Sequence, residues 1–337
     1  MKFASGFEIL EYCQSMATKF GFYDKCLFHT TVERTDWNEE TRRWTVTTDR
    51  GDAMRARYII LANGILTTPK LARIDGMESF EGDSFHTSRW RYDVDLEGKT
   101  VGIIGTGATA VQAVPELAKI VGELYVFQRT PSSIDVRDQR VTAPQEIENW
   151  KEEPGWARAR RKRFSKISAG RSAIQANDDY LAGKGEHFKE RKEHSRKLTP
   201  EEMVGKQLDS NFRIMEQIRA RVDAIVEDPE TARALKPYYP YGCKRPTFHD
   251  EYLPTFNLPN VTLVDTDGKG VERITPTGLV ANGVEYEVDC IVFATGFEVG
   301  TGYTRRAGYE VVGRAGLTLS QKWENGPRTL HGMQTTD

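Results

Sequence analysis

The apolar positions of this chain follow a helical period in some stretches and a strand period in others. Phe7, Leu10 and Cys13 recur near helical spacing, which predicts an amphipathic helix over residues 6–20. A long, charged stretch of mostly helical pattern covers residues 145–235. Short apolar runs predict β-strands at 26–35, 43–48, 54–62, 261–265, 278–281 and 286–293. The order of these elements predicts an α/β protein that carries a helical insertion.

A strand, a turn and a helix follow one another between residues 98 and 130. The apolar run Val101–Ile104 enters a glycine-containing turn, and helical spacing then continues through Val114 and Leu117. In a dinucleotide-binding βαβ unit, the first glycine permits a tight turn, the second admits the pyrophosphate, and a third small residue, here Ala110, lets helix and strand pack closely. The helix N-terminus then holds the phosphates. We therefore expect a Rossmann-like domain whose cofactor-binding residues are Gly105, Thr106, Gly107, Ala108 and Thr109.

The end of the next strand indicates which dinucleotide binds. This strand ends in Gln128-Arg129-Thr130, where an NAD site would normally place a carboxylate for the ribose 2′-hydroxyl. Arg129 instead offers a planar, permanent charge that suits a 2′-phosphate. The sequence thus favours NADP over NAD, with Arg129 and Thr130 beside the phosphate. The alternative, an arginine that only ends a surface strand, stays open.

Composition limits the remaining classes of function. The 337 residues carry a formal net charge of −2, which gives no bulk attraction to nucleic acid or to a membrane surface. No apolar stretch reaches the roughly 18 residues of a membrane span. The basic run at 158–163 lies in a charge-mixed helical stretch, which favours a solvated helix face over a nucleic-acid patch. The four cysteines lack metal-ligand spacing, which is typical of a reducing cytoplasm. Oligomeric state is not predicted.

A second motif gives the chain a family resemblance. Phe80, Gly82, His86 and Trp90 match the fingerprint Phe-x-Gly-x-x-x-His-x-x-x-Trp of the class B flavin-dependent monooxygenases of Baeyer-Villiger type, while Arg91 departs from the Pro or Asp that follows it there. The similarity continues through LANG (61–64), FQRTP (127–131), YGCKRP (241–246) and VFATGF (292–297). The resemblance implies an enzyme that uses FAD, NADPH and O₂ to insert an oxygen atom beside a ketone carbonyl. Related monooxygenases that oxygenate nitrogen or sulfur are the alternative within this class.

The resemblance also implies roles for particular residues. Arg245 would be catalytic and would stabilise the anionic flavin peroxide, because arginine does not lose its proton. Lys244 would join Arg129 at the NADP phosphate. The alternative is that Lys244 and Arg245 are surface charges in a loop. His86 and Trp90 would have a conformational role. Residues beside FAD would be Val32, Asn63, Gly64, Thr295 and Gly296, which ordinary strand-end turns would also explain.

The resemblance predicts a discontinuous domain organisation. We expect a Rossmann-like NADP-binding domain inserted in an incomplete FAD-binding domain. Its parts are a partial FAD-binding domain (1–80), the first part of the NADP-binding domain (81–145), the helical insertion (146–235), the second part of the NADP-binding domain (236–290) and a return to the FAD-binding domain (291–337). No two glycines before Phe80 have the spacing of a FAD phosphate turn. The chain is therefore expected to be an internal piece of a monooxygenase, and a non-catalytic NADP-binding fragment is the alternative.

Overall fold

The computed structural model describes residues 1–168, 199–332 and 335. The helices are α1 (Gly6–Lys19), α2 (Ala108–Ala118), α3 (Pro144–Glu152), α4 (Trp156–Ser168), α5 (Pro200–Ile225), α6 (Pro229–Leu235), α7 (Tyr252–Thr255), α8 (Tyr303–Ala307) and α9 (Leu319–Lys322). The strands are β1 (Val32–Asn38), β2 (Arg43–Thr48), β3 (Ala53–Ala56), β4 (Asp83–His86), β5 (Thr100–Ile104), β6 (Glu123–Gln128), β7 (Ile134–Asp135), β8 (Thr247–Phe248), β9 (Val261–Asp265), β10 (Arg273–Ile274), β11 (Gly278–Ala281), β12 (Val284–Glu287), β13 (Cys290–Phe293) and β14 (Glu310–Val312).

The described residues form two compact units. One comprises Met1–Ile9 and Ala72–Thr295, and the other comprises Leu10–Leu71 and Gly296–Asp337. The predicted boundaries between the FAD-binding and NADP-binding parts lie at residues 80 and 290. The assignment of the two units to these cofactors remains a prediction. Among the helices of the described ranges, none is both long and apolar enough to cross a membrane.

The larger unit is built on a parallel sheet with strand order β4-β13-β5-β6-β9. Its strands are continuously apolar because both faces are covered. In β13, Cys290 and Val292 join one buried cluster, while Ile291 and Phe293 join the other. Helix α2 packs Val111, Val114 and Leu117 into the first cluster. The antiparallel sheet β10-β11-β12 covers the second face, where Leu279 is fully buried. The mixed α/β fold predicted from the sequence is confirmed.

The predicted strand 286–293 is two strands that belong to different sheets. Tyr286 lies in β12 and pairs with Leu279 in the antiparallel sheet, whereas Ile291 lies in β13 and pairs with Gly102 in the parallel sheet. Asp289 lies between them, and its carboxylate accepts a hydrogen bond from the backbone N–H of Thr100 at 2.8 Å. The sequence pattern hides this change of sheet because the apolar neighbours of Asp289 on both sides, Val288 and Cys290, are buried.

The smaller unit is built on a sheet with strand order β14-β1-β2-β3. Strand β1 pairs in parallel with β14 and antiparallel with β2, and Trp37 lies opposite Trp44. Tyr309, Val311 and Leu319 form its buried cluster. The core of this unit is thus supplied from two distant parts of the chain.

Two predicted strands in this unit have different bounds, and the helical predictions hold where they can be compared. The strand predicted at 26–35 begins at Val32 and continues to Asn38, and the one predicted at 54–62 ends at Ala56. Among the described residues, none pairs with 57–62, and Tyr58 and Ile60 are exposed. Helix α1 matches the prediction, and α3 to α6 lie in the predicted helical stretch. Part of that stretch, 169–198, lies outside the described residues.

Candidate nucleotide site

The turn after β5 requires glycine at its first position. Gly105 has a φ of +115°, and a Cβ atom there would lie 2.7 Å from the carbonyl oxygen of Ala294. The Gly105 N–H donates to the carbonyl of Phe127 at 3.0 Å, and the Ala294 N–H donates to that of Ile104 at 3.0 Å. Because the carboxyl ends of β6 and β13 hold the turn from both sides, a side chain at Gly105 has no room.

Gly107 differs from Gly105 because it faces open space. It precedes helix α2 with a φ of −76°. Apart from its chain neighbours, no heavy atom of the described residues lies within 4 Å of the position that a Cβ would take. Ala108 and Thr109 form the first turn of α2, and Ala110 is fully buried against the sheet. The first N–H groups of a helix have no acceptor within the helix, so they and the dipole favour an anion. The open face at Gly107 therefore leaves these donors accessible to a phosphate.

The turn lies where the strand order changes direction. Strands β6 and β9 lie on one side of β5, and β13 and β4 lie on the other. In open parallel sheets, ligands bind outside the carboxyl ends of the strands at such a point. The hydroxyl of Thr106 donates to the carbonyl of Thr130 at 2.8 Å, which fixes the turn to the residue after Arg129.

Arg129 and Lys244 are brought together although 114 residues separate them in the sequence. Arg129 directly follows β6 and is exposed. Lys244 as a whole is also exposed, but partial burial of its ammonium group lowers the pKa of that group, and the charge of Arg129 lowers the pKa further. The Lys244 Nζ lies 5.2 Å from the centre of the Tyr239 ring. Two cations held close together form a local positive potential that suits a phosphate.

The segment around Arg245 is anchored to the chain that follows Arg129. The backbone N–H of Ser133 donates to the hydroxyl of Tyr239 at 3.1 Å, and the hydroxyl of Thr247 donates to the carbonyl of Ser133 at 2.7 Å. Lys244 and Arg245 lie between these two attachment points. Arg245 is exposed, and the left-handed Gly242 (φ +92°) lies two residues before Lys244.

The residues predicted beside FAD are divided between the units. Val32, Asn63, Gly64 and Gly296 belong to the smaller unit, and Thr295 is the last residue of the larger one. Val32 starts β1 and packs against the buried cluster of its unit. The side-chain oxygen of Asn63 accepts hydrogen bonds from the hydroxyls of Tyr303 at 3.0 Å and Tyr309 at 3.4 Å.

Both of these glycines have left-handed backbone conformations. Gly64 has a φ of +73° and Gly296 a φ of +84°. Within the part of the chain that the structure describes, a Cβ at either position would meet no atom within 4 Å besides its chain neighbours. The carbonyl of Gly296 accepts a hydrogen bond from the Lys70 N–H at 2.9 Å. The backbone conformation of both turns therefore favours glycine, and the space beside each glycine is open.

Known proteins resemble this chain over nearly its whole length. The family model described as pyridine nucleotide-disulphide oxidoreductase matches residues 2–169. Neopentalenolactone D synthase of Streptomyces avermitilis is 47% identical over 99% of this chain and 58% of its own length. A Baeyer-Villiger monooxygenase of Stachybotrys chlorohalonatus is 46% identical over 98% of this chain and 55% of its own. This chain belongs to the Baeyer-Villiger monooxygenase family.

Solved structures of Baeyer-Villiger monooxygenases agree with the fold. The polycyclic ketone monooxygenase of Thermothelomyces thermophila superposes with a TM-score of 0.87 at 42% identity. The match covers 98% of this chain and 57% of the chain of that enzyme. Oxidized steroid monooxygenase bound to NADP gives a TM-score of 0.78 at 30% identity, over 97% of this chain and 63% of its own. The chain thus spans less than two thirds of the length of these relatives.

The residues of the Baeyer-Villiger fingerprint lie in and around β4, the edge strand of the parallel sheet. A Cβ at Gly82 would lie 2.4 Å from the carbonyl oxygen of Asp289, so only glycine fits beside β13. His86 is buried, and its Nδ1 accepts from the Ser88 N–H at 3.1 Å. The rings of Phe85 and Trp90 meet edge to face with their centres 4.9 Å apart. These contacts are structural, in keeping with the conformational role that the resemblance implies.

Sequence reasoning missed residues that support the Baeyer-Villiger nucleotide turn from elsewhere in the chain. Ala294 lies behind Gly105, Tyr239 lies beside Lys244, and Ser132 donates its hydroxyl to the carbonyl of Thr106. The aromatic pair Tyr238-Tyr239 just before YGCKRP was the available signal for one of them. Ala294 and Ser132 have no motif spacing of their own, because their contacts depend on strand order.

Proposed function

We propose that this chain provides the NADP-binding part and a share of the FAD-binding part of a Baeyer-Villiger monooxygenase, which inserts one oxygen atom from O₂ beside a ketone carbonyl. The observation that carries the proposal is the meeting of an open glycine turn with the Arg129–Lys244 pair at the carboxyl end of one parallel sheet. The likeness to an NADP-bound steroid monooxygenase supports it.

The nucleotide fits the residues that are present. The pyrophosphate would lie at Gly107 and the first N–H groups of α2, because no side chain occupies that space. Arg129 would form paired hydrogen bonds with the 2′-phosphate, and Lys244 would add a point charge. Gly105, Thr106 and Thr130 would maintain the turn. In this assignment the unit formed by Met1–Ile9 and Ala72–Thr295 binds NADP.

FAD would contact the smaller unit, at Val32, Asn63, Gly64 and Gly296, with Thr295 beside it. The two glycines fit this role because both have positive φ and open faces. When bound, the reduced flavin supplies the electrons that activate O₂. Arg245 would hold a permanent positive charge beside the reacting oxygen, because a guanidinium is always charged in proteins.

The proposed partners are a small-molecule ketone and O₂, with no nucleic acid or membrane partner. The four unpaired thiols support the cytoplasm as the compartment. Purified protein supplied with FAD should form an ester or lactone from a polycyclic ketone in the presence of NADPH. Arg245→Ala should abolish product while NADPH oxidation continues. Arg233→Ala is the matched control, since Arg233 is a surface arginine whose side chain is 72% exposed.

The outcomes separate the possible activities. Normal ester yield from Arg245→Ala would refute the role of Arg245. Colourless protein that binds NADP but forms no product would reduce the function to nucleotide binding. Oxygenation of an amine or sulfide, with no reaction of ketones, would assign the chain to the heteroatom branch instead.

A further inference from the structure

Thr266 connects the end of β6 to the loop 266–270, which directly follows β9. It directly follows β9 and is fully buried. Its hydroxyl donates to the carbonyl of Gln128 at 2.7 Å and accepts from the N–H of Gly270 at 2.8 Å. Gln128 is the residue before Arg129. The backbone N–H of Thr266 donates to the same Gln128 carbonyl at 2.9 Å, and the hydroxyl alone extends this connection from the base of Arg129 to Gly270.

The same loop reaches the side chain of Arg129. Gly270 has a φ of +85°, and a Cβ at that position would lie 3.9 Å from the Arg129 Cδ. The loop is closed by a hydrogen bond from the Lys269 N–H to the Thr266 carbonyl at 3.0 Å. The loop backbone therefore flanks the aliphatic stem of Arg129.

We infer that Thr266 is a positioning residue for recognition of the 2′-phosphate. This inference rests on the proposed binding of NADP at the glycine turn. Thr266 holds the 266–270 loop beside the Arg129 stem and so reduces the number of rotamers that the arginine can adopt. A long side chain that is already restrained loses less entropy when it binds. Thr266 itself is buried and acts through Arg129, so its effect should depend on the 2′-phosphate.

The test compares two substitutions in the 337-residue chain that each change one branch of the threonine side chain. Thr266→Val removes the hydroxyl and keeps the shape, whereas Thr266→Ser keeps the hydroxyl. Dissociation constants for NADP⁺ and NAD⁺ are measured by calorimetry. Thr266→Val should weaken NADP⁺ binding about five- to tenfold, as expected when a long side chain must be ordered on binding. NAD⁺ binding should change less than about twofold, and Thr266→Ser should resemble the wild type for both ligands.

A second variant keeps the inference testable if Thr266→Val does not fold. Gly270→Asn preserves the left-handed conformation that asparagine tolerates and adds a side chain beside Arg129. It should reduce the preference for NADP⁺ over NAD⁺. In an Arg129→Ala background, neither substitution should change NADP⁺ affinity further.

The inference is overturned if Thr266→Val weakens both nucleotides equally, if Thr266→Ser behaves like Thr266→Val, or if Gly270→Asn leaves the preference unchanged. The proposed function fails separately. In that case the wild-type chain itself would bind NADP⁺ no more tightly than NAD⁺.

Discussion

Alanine substitution of the two turn glycines should separate nucleotide binding from folding. Gly107→Ala places a methyl group where no protein atom lies within 4 Å, at an ordinary φ of −76°. Its folding cost is the loss of a good N-cap residue, about 1 kcal/mol. That cost lowers the melting temperature by roughly 2–4 °C. The methyl group, however, would occupy the space in which the pyrophosphate must approach the helix.

Gly105→Ala should behave in the opposite way. An alanine at φ +115° costs about 1–3 kcal/mol in backbone conformation alone. Its Cβ would also lie 2.7 Å from the Ala294 carbonyl oxygen, so the strand ends must move apart. A total of about 3 kcal/mol or more corresponds to a loss of roughly 6–12 °C.

The assay combines thermal unfolding with NADP⁺ titration of both variants. Gly107→Ala should lose at least about tenfold in affinity, equivalent to 1.4 kcal/mol, while remaining folded at 25 °C. Gly98→Ala is a useful control, because Gly98 lies at the opposite end of the sheet, just before β5. Its φ of +68° means that alanine there should lower stability without lowering NADP⁺ affinity. Normal affinity in Gly107→Ala would refute the placement of the pyrophosphate at this turn.

Three further outcomes are expected. Arg129→Ala should raise the Michaelis constant for NADPH with little effect on NADH, in steady-state assays of the flavin-loaded enzyme, and an equal effect on both would show that Arg129 does not contact the 2′-phosphate. Burial, followed by the charge of Arg129, lowers the pKa of Lys244 below its usual 10.5, so NADP⁺ affinity should fall as rising pH removes this proton. Lys244→Arg should remove the decline. A pH profile that Lys244→Arg leaves unchanged would contradict the role of Lys244. The buried hydroxyl of Tyr252 makes no hydrogen bond to the described residues, so Tyr252→Phe should leave thermal stability unchanged or raise it; a loss above about 1 kcal/mol would show that the hydroxyl is satisfied.

The parts of the fold that sequence predicts well are local in the chain. The strand Val101–Ile104, the glycine turn and helix α2 were all predicted, because each depends on residues within a few positions of one another. The site around this turn is less local. Sequence pattern gave no sign that Ala294 closes the turn, because that contact depends on β13 lying beside β5.

The errors have a physical cause in strand pairing. Residues 57–62 have a strand-like apolar pattern but no pairing partner among the described residues, so the strand ends at Ala56. The run 286–293 has a strand-like pattern interrupted only by Glu287 and Asp289, yet it changes sheets at Asp289. Hydrophobic periodicity reports burial, whereas a strand also requires a neighbour with free backbone groups. The family resemblance suggested that Lys244 and Arg129 lie close together. Their spacing in the sequence alone could not predict this.

The position of β13 between β4 and β5 has a consequence for how the protein is made. Strands β4 and β5 are close in sequence, but the strand that separates them is synthesised about two hundred residues later. Pairings between such distant segments form slowly, and synthesis proceeds from the N-terminus. The βαβ unit therefore leaves the ribosome with one side of β5 unpaired and with nothing behind Gly105. Because Ala294 closes the turn only after this late strand has paired, cofactor binding should assist the last steps of folding and not the first.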